Sequence, residues 1–247
     1  MCFGSCIDLN MANKYFQFKQ FTIHQDNCAM KVCTDACLFG ALIANCPLPT
    51  ANCLDVGTGT GLLSLMYAQK YPHTIIDAVE IHPAAALQAK QNFEASNWKE
   101  RLNIINADIK HLAKEKKYDL IISNPPFFED DLRSEDETKN AAKHDSSLTL
   151  QELLNIASER LNRNGTFAVL LPQHRVNYFE NEALLCGLHA HRKILVRQTP
   201  EHDLFRGILF FINRKSDQLV TEMSIRRTDG SYTAEFIGLL KDYYLHL

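Results

Sequence analysis

From residue 53 onward, short apolar runs alternate with stretches of helical spacing. Residues 53–56 (CLDV) form an apolar run that ends in GTGTG, and an apolar-periodic helix over 61–69 (GLLSLMYAQ) follows it. A second strand over 75–79 (IIDAV) ends at Glu80. Pro83 then opens a helix that runs to Glu94, since proline fits a first helical turn. Residues 102–106 (LNIIN) predict a third strand ending just before Asp108, and 118–123 (YDLIIS) a fourth ending at Asn124-Pro125-Pro126. Leu148 to Leu161 has the spacing of an amphipathic helix, and Asn164-Gly165 reads as a turn. Residues 166–171, 193–198 and 207–212 predict three more strands. Strands and helices alternating at this length predict an α/β fold: a mostly parallel, doubly wound sheet with helices on both faces. Strands this apolar suit burial on both sides. No internal repeat or low-complexity linker divides the chain, so one domain is the simplest organisation.

Composition narrows the class without changing the fold. The 247 residues suffice for one large α/β domain, and 46% hydrophobic with 22% charged residues is ordinary for a globular chain. Residues 1–10 lack Lys, Arg and an apolar run of signal-peptide length, and no stretch approaches 18 apolar residues. The expectation is a cytoplasmic protein with no membrane partner. The eight cysteines (2, 6, 28, 33, 37, 46, 53 and 186) form no CxxC pair, which points to reduced thiols and to no metal. Net charge is −3, mildly unlike a protein that coats nucleic acid. The charge is uneven, however: 129–137 (EDDLRSEDE) carries six acids, while from Cys186 onward nine Lys/Arg face seven Asp/Glu.

Two strand tips carry candidate chemistry. Asp55-Val-Gly57-Thr-Gly59-Thr-Gly61 sits where the first strand hands over to a helix, and glycines there let backbone approach a ligand closely. Glu80 ends the next strand, where a carboxylate can accept hydrogen bonds from both hydroxyls of a ribose. Dinucleotide-binding loops share that arrangement but read GxGxxG. The pattern here, DVGTGTG, resembles the first motif of class I S-adenosylmethionine (SAM)-dependent methyltransferases. In that family, the position of Asp108 contacts the adenine ring or its amine.

The second tip is Asn124-Pro125-Pro126-Phe127. Two prolines stiffen the loop and remove two backbone donors. The asparagine oxygen and the first proline's carbonyl then form a pair of acceptors for the two hydrogens of an amine, and the phenylalanine can stack on a base turned out of its helix. NPPF at this tip resembles the motif of amino-methyltransferases acting on adenine, cytosine or glutamine side chains. A DNA-adenine enzyme, an rRNA-base enzyme and a protein-glutamine enzyme are therefore alternatives, and an NAD-dependent oxidoreductase is disfavoured by its different glycine pattern. The 35 residues after 212 are too few for a DNA target-recognition domain.

The likeness extends along the chain. Residues 16–40 (FQFKQFTIHQDNCAMKVCTDACLFG), 141–154 (AAKHDSSLTLQELL) and 232–245 (YTAEFIGLLKDYYL) resemble the bacterial tRNA1(Val) adenine-37 N6-methyltransferase family. The resemblance covers about residues 12 to 246. It implies a Rossmann-like class I methyltransferase with a seven-stranded, mostly parallel sheet, SAM as cofactor, and valine tRNA, held near its anticodon, as partner. It implies an amino-terminal cofactor-covering segment over 12–50 and a core over 51–247 with a short carboxyl-terminal strand and helix. By the same likeness, Lys31, Thr34 and Asp35 line the methionine end of the cofactor, and Asp55, Gly57, Gly59 and Gly61 form its loop. Glu80 and Asp108 bind ribose and adenine. Asn124, Pro125, Pro126 and Phe127 are the catalytic tetrapeptide, with Asn124 also next to the cofactor. Phe16, Phe18, His144, Arg192 and Arg197 are candidate substrate contacts, and Arg226 and Arg227 candidate phosphate contacts. Residues 1–11 resemble no part of the family and read as an extension, with Met11 an alternative start. Oligomeric state is not written in the pattern; a monomer is sufficient.

Overall fold

The computed structural model describes residues 14–28, 30–46, 51–126 and 148–247. Its main sheet has eight strands. In chain order they are β3 (Asn52–Val56), β4 (Ile75–Glu80), β5 (Leu102–Asn106), β6 (Tyr118–Ser123), β7 (Leu161–Pro172), β8 (His189–Arg197), β9 (Leu204–Ile212) and β10 (Leu219–Ser224). Their order across the sheet is β10-β8-β9-β7-β6-β3-β4-β5, and only β9 runs antiparallel to its neighbours. The carboxyl ends of β3, β4, β5 and β6 therefore lie along one edge. There the chain turns from strand to loop, with backbone groups released from the ladder to meet a ligand.

The sheet exceeds the expected seven strands by one. β10 adds to β8 beyond the strand run ending at 212, and it is legible in the sequence only as the short strand expected near the carboxyl end. β7 is also longer than expected. The predicted turn at Asn164-Gly165 appears inside it as a register irregularity, where Tyr118 pairs with Leu161 but Leu120 pairs with Thr166.

Two apolar clusters sandwich the sheet. On one face lie α1 (Thr34–Ala44), α2 (Leu62–Lys70), α3 (Pro83–Glu94) and α6 (Ala234–Leu240), contributing Phe39, Met66, Phe93 and Phe236. On the other lie α4 (Leu150–Arg160) and α5 (Gln173–Leu185), contributing Leu153, Leu154 and Phe179. Helix α4 begins at a capping box: the Thr149 hydroxyl accepts from the Glu152 N–H, and the Glu152 carboxylate accepts from the Thr149 N–H.

Ahead of the sheet, β1 (Tyr15–Gln17) and β2 (Thr22–His24) form a small antiparallel hairpin. The carboxyl terminus straps it in place. Phe18 bridges to Tyr244, the Lys19 N–H donates to the Tyr243 carbonyl, and the Tyr243 hydroxyl donates to the Met66 carbonyl on α2. Phe18 is 2% exposed and packs with Phe16, Phe21 and Tyr244, so it serves the core rather than a substrate.

Candidate active site

The loop after β3 has a backbone that side chains would disfavour. Gly57, Gly59 and Gly61 have φ of 71°, 56° and 83°, in the left-handed region where only glycine is at ease. A Cβ on Gly57 or Gly59 would meet nothing within 4 Å, so the loop borders open space at these two positions. Asp55 beneath it is fully buried. Its Oδ2 accepts from the Thr58 hydroxyl at 2.6 Å and the Ser64 hydroxyl at 2.7 Å, tying the loop to the first turn of α2. Its Oδ1 is buried without a partner. Burial raises the Asp55 carboxyl to about 6, against the lowering effect of those two hydroxyls.

Glu80 ends β4 with one oxygen accepting from the Gly59 N–H at 2.9 Å and the other from the His82 N–H at 2.9 Å. Each oxygen keeps a lone pair beyond these bonds. Asp108, past the end of β5, caps a short 3-10 turn by accepting from the Lys110 N–H at 2.9 Å. The Lys110 ammonium lies 3.6 Å from Asp108 and 3.3 Å from Glu152, joining this tip to the start of α4.

At the tip of β6 the Ser123 hydroxyl donates to the Val56 carbonyl at 2.9 Å, fastening this tip to that of β3. The next residue is Asn124, whose Oδ1 is buried and has no hydrogen-bond partner. Such an acceptor costs about 1–3 kcal/mol where it stays unpaired, and a ligand N–H reaching this strand tip would satisfy it. Pro125 is buried and Pro126 exposed; Phe127, like His144, lies outside the described residues.

The amino-terminal segment reaches the same edge. Cys28 is close enough to Glu80 and Lys31 for both to act on its thiol, which burial foremost and then Glu80 push up to about 11 while Lys31 opposes them. The Lys31 ammonium donates to the Gln25 carbonyl. Thr34 opens α1, and the Asp35 carboxylate meets Arg206 of β9 at 2.7 Å. The structure thus brings Asp55, the three glycines, Glu80, Asp108 and Asn124 to one edge of four adjacent strands, with the amino-terminal segment fastened to α3 through His24 and Asn27. A nucleoside with a charged tail fits these donors and acceptors: carboxylates for hydroxyls and an amine, and an open glycine cradle for close approach.

Arg206 and Asn92, which is hydrogen-bonded to the Thr60 carbonyl, gave no signal in the sequence pattern. The basic candidates are partly engaged within the protein. Arg197 pairs with Glu222, Arg226 stacks on Tyr232 with 4.2 Å to the ring centre, and Arg192 stacks on Phe210. Among the described residues no group of three or more His, Cys, Asp or Glu is placed to hold a metal ion, and no helix is long and apolar enough to cross a membrane.

Comparison with known proteins agrees with this geometry. The family model of the methyltransferase small domain matches residues 36–184, more than half the chain. Among solved structures, a methyltransferase from Pyrococcus furiosus superposes with a TM-score of 0.56 at 21% identity, over 78% of this chain and 90% of that one. A protein from Agrobacterium tumefaciens, described as a predicted O-methyltransferase, superposes with a TM-score of 0.65 at 17% identity, over 84% and 96%. At such identities the likeness is one of fold. Sequence relatives are much nearer. The tRNA1(Val) (adenine(37)-N6)-methyltransferase of Cytophaga hutchinsonii is 42% identical over 246 residues, 96% of this chain and 100% of the relative. That of Photorhabdus laumondii is 39% identical over 235 residues, 94% and 95%. With identity of this order along almost the whole of both chains, the protein belongs to the tRNA1(Val) (adenine(37)-N6)-methyltransferase family.

Proposed function

We propose that the protein transfers the methyl group of SAM to the N6 amine of adenine in tRNA, at position 37 of valine tRNA. The observation that carries this reading is the buried, unpartnered Oδ1 of Asn124 at the tip of β6, fastened beside the glycine loop. The substrate follows from the relatives' function and near-complete coverage.

When bound, SAM supplies an electrophilic methyl group. Gly57, Gly59 and Gly61 would let the backbone close on it, with Asp55 holding the loop from beneath through Thr58 and Ser64. Lys31, Thr34 and Asp35 line the cofactor's methionine end, Glu80 accepts from the ribose hydroxyls through its remaining lone pairs, and Asp108 takes the adenine amine. The amino-terminal segment would cover the site from its own side, a role supported by the hydrogen bonds of His24 and Asn27 to α3.

The adenine N6 amine is a weak nucleophile because its lone pair is delocalised into the ring. Asn124 Oδ1 and the Pro125 carbonyl accept its two hydrogens and favour the geometry in which that lone pair is freed. As the N–C bond forms and the sulfur–methyl bond breaks with its electron pair left on sulfur, positive charge grows on nitrogen; these two fixed dipoles stabilise it, and the surplus N6 proton then leaves to solvent. Pro125 and Pro126 hold the acceptors rigid, and stacking on the base is the role that the family likeness gives Phe127. No metal and no membrane enter the reaction, and it takes place in the cytoplasm with its tRNA. The test is incubation of purified protein with labelled SAM and unmodified total tRNA, followed by mapping of the label. Label on N6 of adenine 37 in valine tRNA is expected; label on another base or on protein overturns the assignment.

A further inference from the structure

Helix α3 carries a buried amide that the function above does not use. Asn92 is 1% exposed. Its Nδ2 donates to the Thr60 carbonyl at 2.8 Å and the His24 carbonyl at 2.9 Å, while its Oδ1 accepts from the His24 N–H at 2.9 Å. A carboxamide has two N–H donors. Here they are divided between the glycine loop and β2 of the amino-terminal segment, two elements that do not adjoin in sequence.

We propose that Asn92 is the positioning residue that sets the glycine loop for the cofactor and couples that loop to docking of the amino-terminal segment; this rests on the reading of the loop as the SAM site. Thr60 lies between Gly59 and Gly61, so side-chain sterics do little to fix the peptide planes around it. Hydrogen bonds fix them instead. Glu80 holds the Gly59 N–H, the Thr58 carbonyl holds the Gly61 N–H, and Asn92 holds the Thr60 carbonyl. The His24 peptide gives both its groups to the same amide. When β2 leaves α3, Asn92 loses both partners there and the amide is free to rotate away from Thr60. When β2 docks, the amide is locked with one N–H aimed at the loop. Loop order and segment docking are thus one event, and any ligand that needs the ordered loop favours the docked segment by the same factor. Gln88, one turn earlier on α3, accepts from the Asn27 N–H at 3.4 Å and makes no such link to the glycine loop, which makes it the control.

The test is calorimetric titration of SAM with steady-state kinetics on tRNA, for wild type, Asn92→Ala, Asn92→Asp and Gln88→Ala. Asn92→Asp keeps the volume and the acceptor for His24 and, as the neutral acid that burial favours, offers one donor to two carbonyls, so it remains informative where the alanine variant folds poorly. Both Asn92 variants should raise the SAM dissociation constant about tenfold, the size of one lost buried hydrogen bond, with kcat at saturating SAM changed less than about threefold. Gln88→Ala should stay within about twofold on both. In wild type, SAM should slow hydrogen exchange at the His24 amide; in Asn92→Ala, which loses the acceptor for that amide, the exchange should be fast and insensitive to SAM, and in Asn92→Asp, which keeps the acceptor, it should be insensitive to SAM. Wild-type SAM affinity in folded Asn92 variants overturns the proposal alone. A wild-type protein that does not bind SAM overturns the cofactor reading and this proposal with it.

Discussion

The Asp35 carboxylate and the Arg206 guanidinium meet at 2.7 Å across 171 residues of sequence, with side chains 13% and 25% exposed. The pair joins the first turn of α1 to β9 at a point where Arg206 sits opposite Pro172 of β7. Arg206→Met should destabilise the protein by about 1–3 kcal/mol, because it leaves a mostly buried carboxylate unpaired. Asp35→Asn combined with Arg206→Met should recover part of that loss. Urea unfolding of the four proteins of the double-mutant cycle measures the coupling; strictly additive effects would mean that the pair is spectator chemistry.

Asp55 makes a prediction in pH. Burial raises its carboxyl to about 6 in the fold from 3.8, so the fold favours the neutral acid. Its contribution to stability is complete below about pH 4 and is lost as pH rises through about 6. Asp55→Asn cannot ionise and escapes that loss. The difference in unfolding free energy between variant and wild type should therefore move towards the variant by up to about 3 kcal/mol between pH 4 and 7. Denaturant unfolding across that range checks it, and a flat difference would show an ordinary acid at this position.

Gly59 and Gly61 should respond differently to alanine. Both have positive φ, but a Cβ on Gly61 would also stand 2.4 Å from the Phe93 ring, whereas one on Gly59 meets nothing within 4 Å. Gly59→Ala should cost about 1–2 kcal/mol of stability from backbone strain alone. Gly61→Ala should cost about 1–3 kcal/mol more from overpacking. Phe93→Ala should relieve only that second part when combined with Gly61→Ala. Equal thermal shifts for the two single variants would contradict the geometry.

The strand tips were the most legible part of this sequence, because their chemistry is local. Asp55, Glu80 and Asn124 each end an apolar run, and a parallel sheet then brings such ends to one edge. What was not legible depends on neighbours distant in sequence. Helix α1 is buried at nine of its eleven positions, so it lacks the polar stripe that marks a surface helix. Helix α5 did carry a signal, with Val176, Phe179 and Ala183 buried at helical spacing, but it begins at Pro172 without a side-chain cap. β10 is mostly exposed on the sheet's edge, and nothing in LVTEMS predicts a parallel partner 27 residues earlier. Asn92 and Arg206 were silent for the same reason: their partners, His24, Thr60 and Asp35, come together only in the fold.

Asn124 offers the sharpest test, because stability and catalysis should separate there. Its Oδ1 is buried and unpartnered within the protein, so removing it breaks no hydrogen bond of the folded state. Asn124→Ala should leave the melting temperature unchanged or slightly higher, since an unpaired buried acceptor is itself a cost. SAM affinity should also hold, because Asp55, Glu80 and the glycine loop do not depend on this side chain. The rate should not hold. The variant lacks one of two acceptors where positive charge grows on the adenine nitrogen, and losing one preorganised dipole of this kind costs ~2.7–4 kcal/mol, about a hundred- to a thousand-fold in rate. Asn124→Asp keeps an acceptor and should retain more activity than the alanine variant. Single-turnover methylation of saturating tRNA, with calorimetric SAM binding and thermal unfolding on the same samples, measures all three quantities. A near-normal rate in Asn124→Ala would place the chemistry elsewhere, and a collapsed melting temperature would make the side chain a structural support.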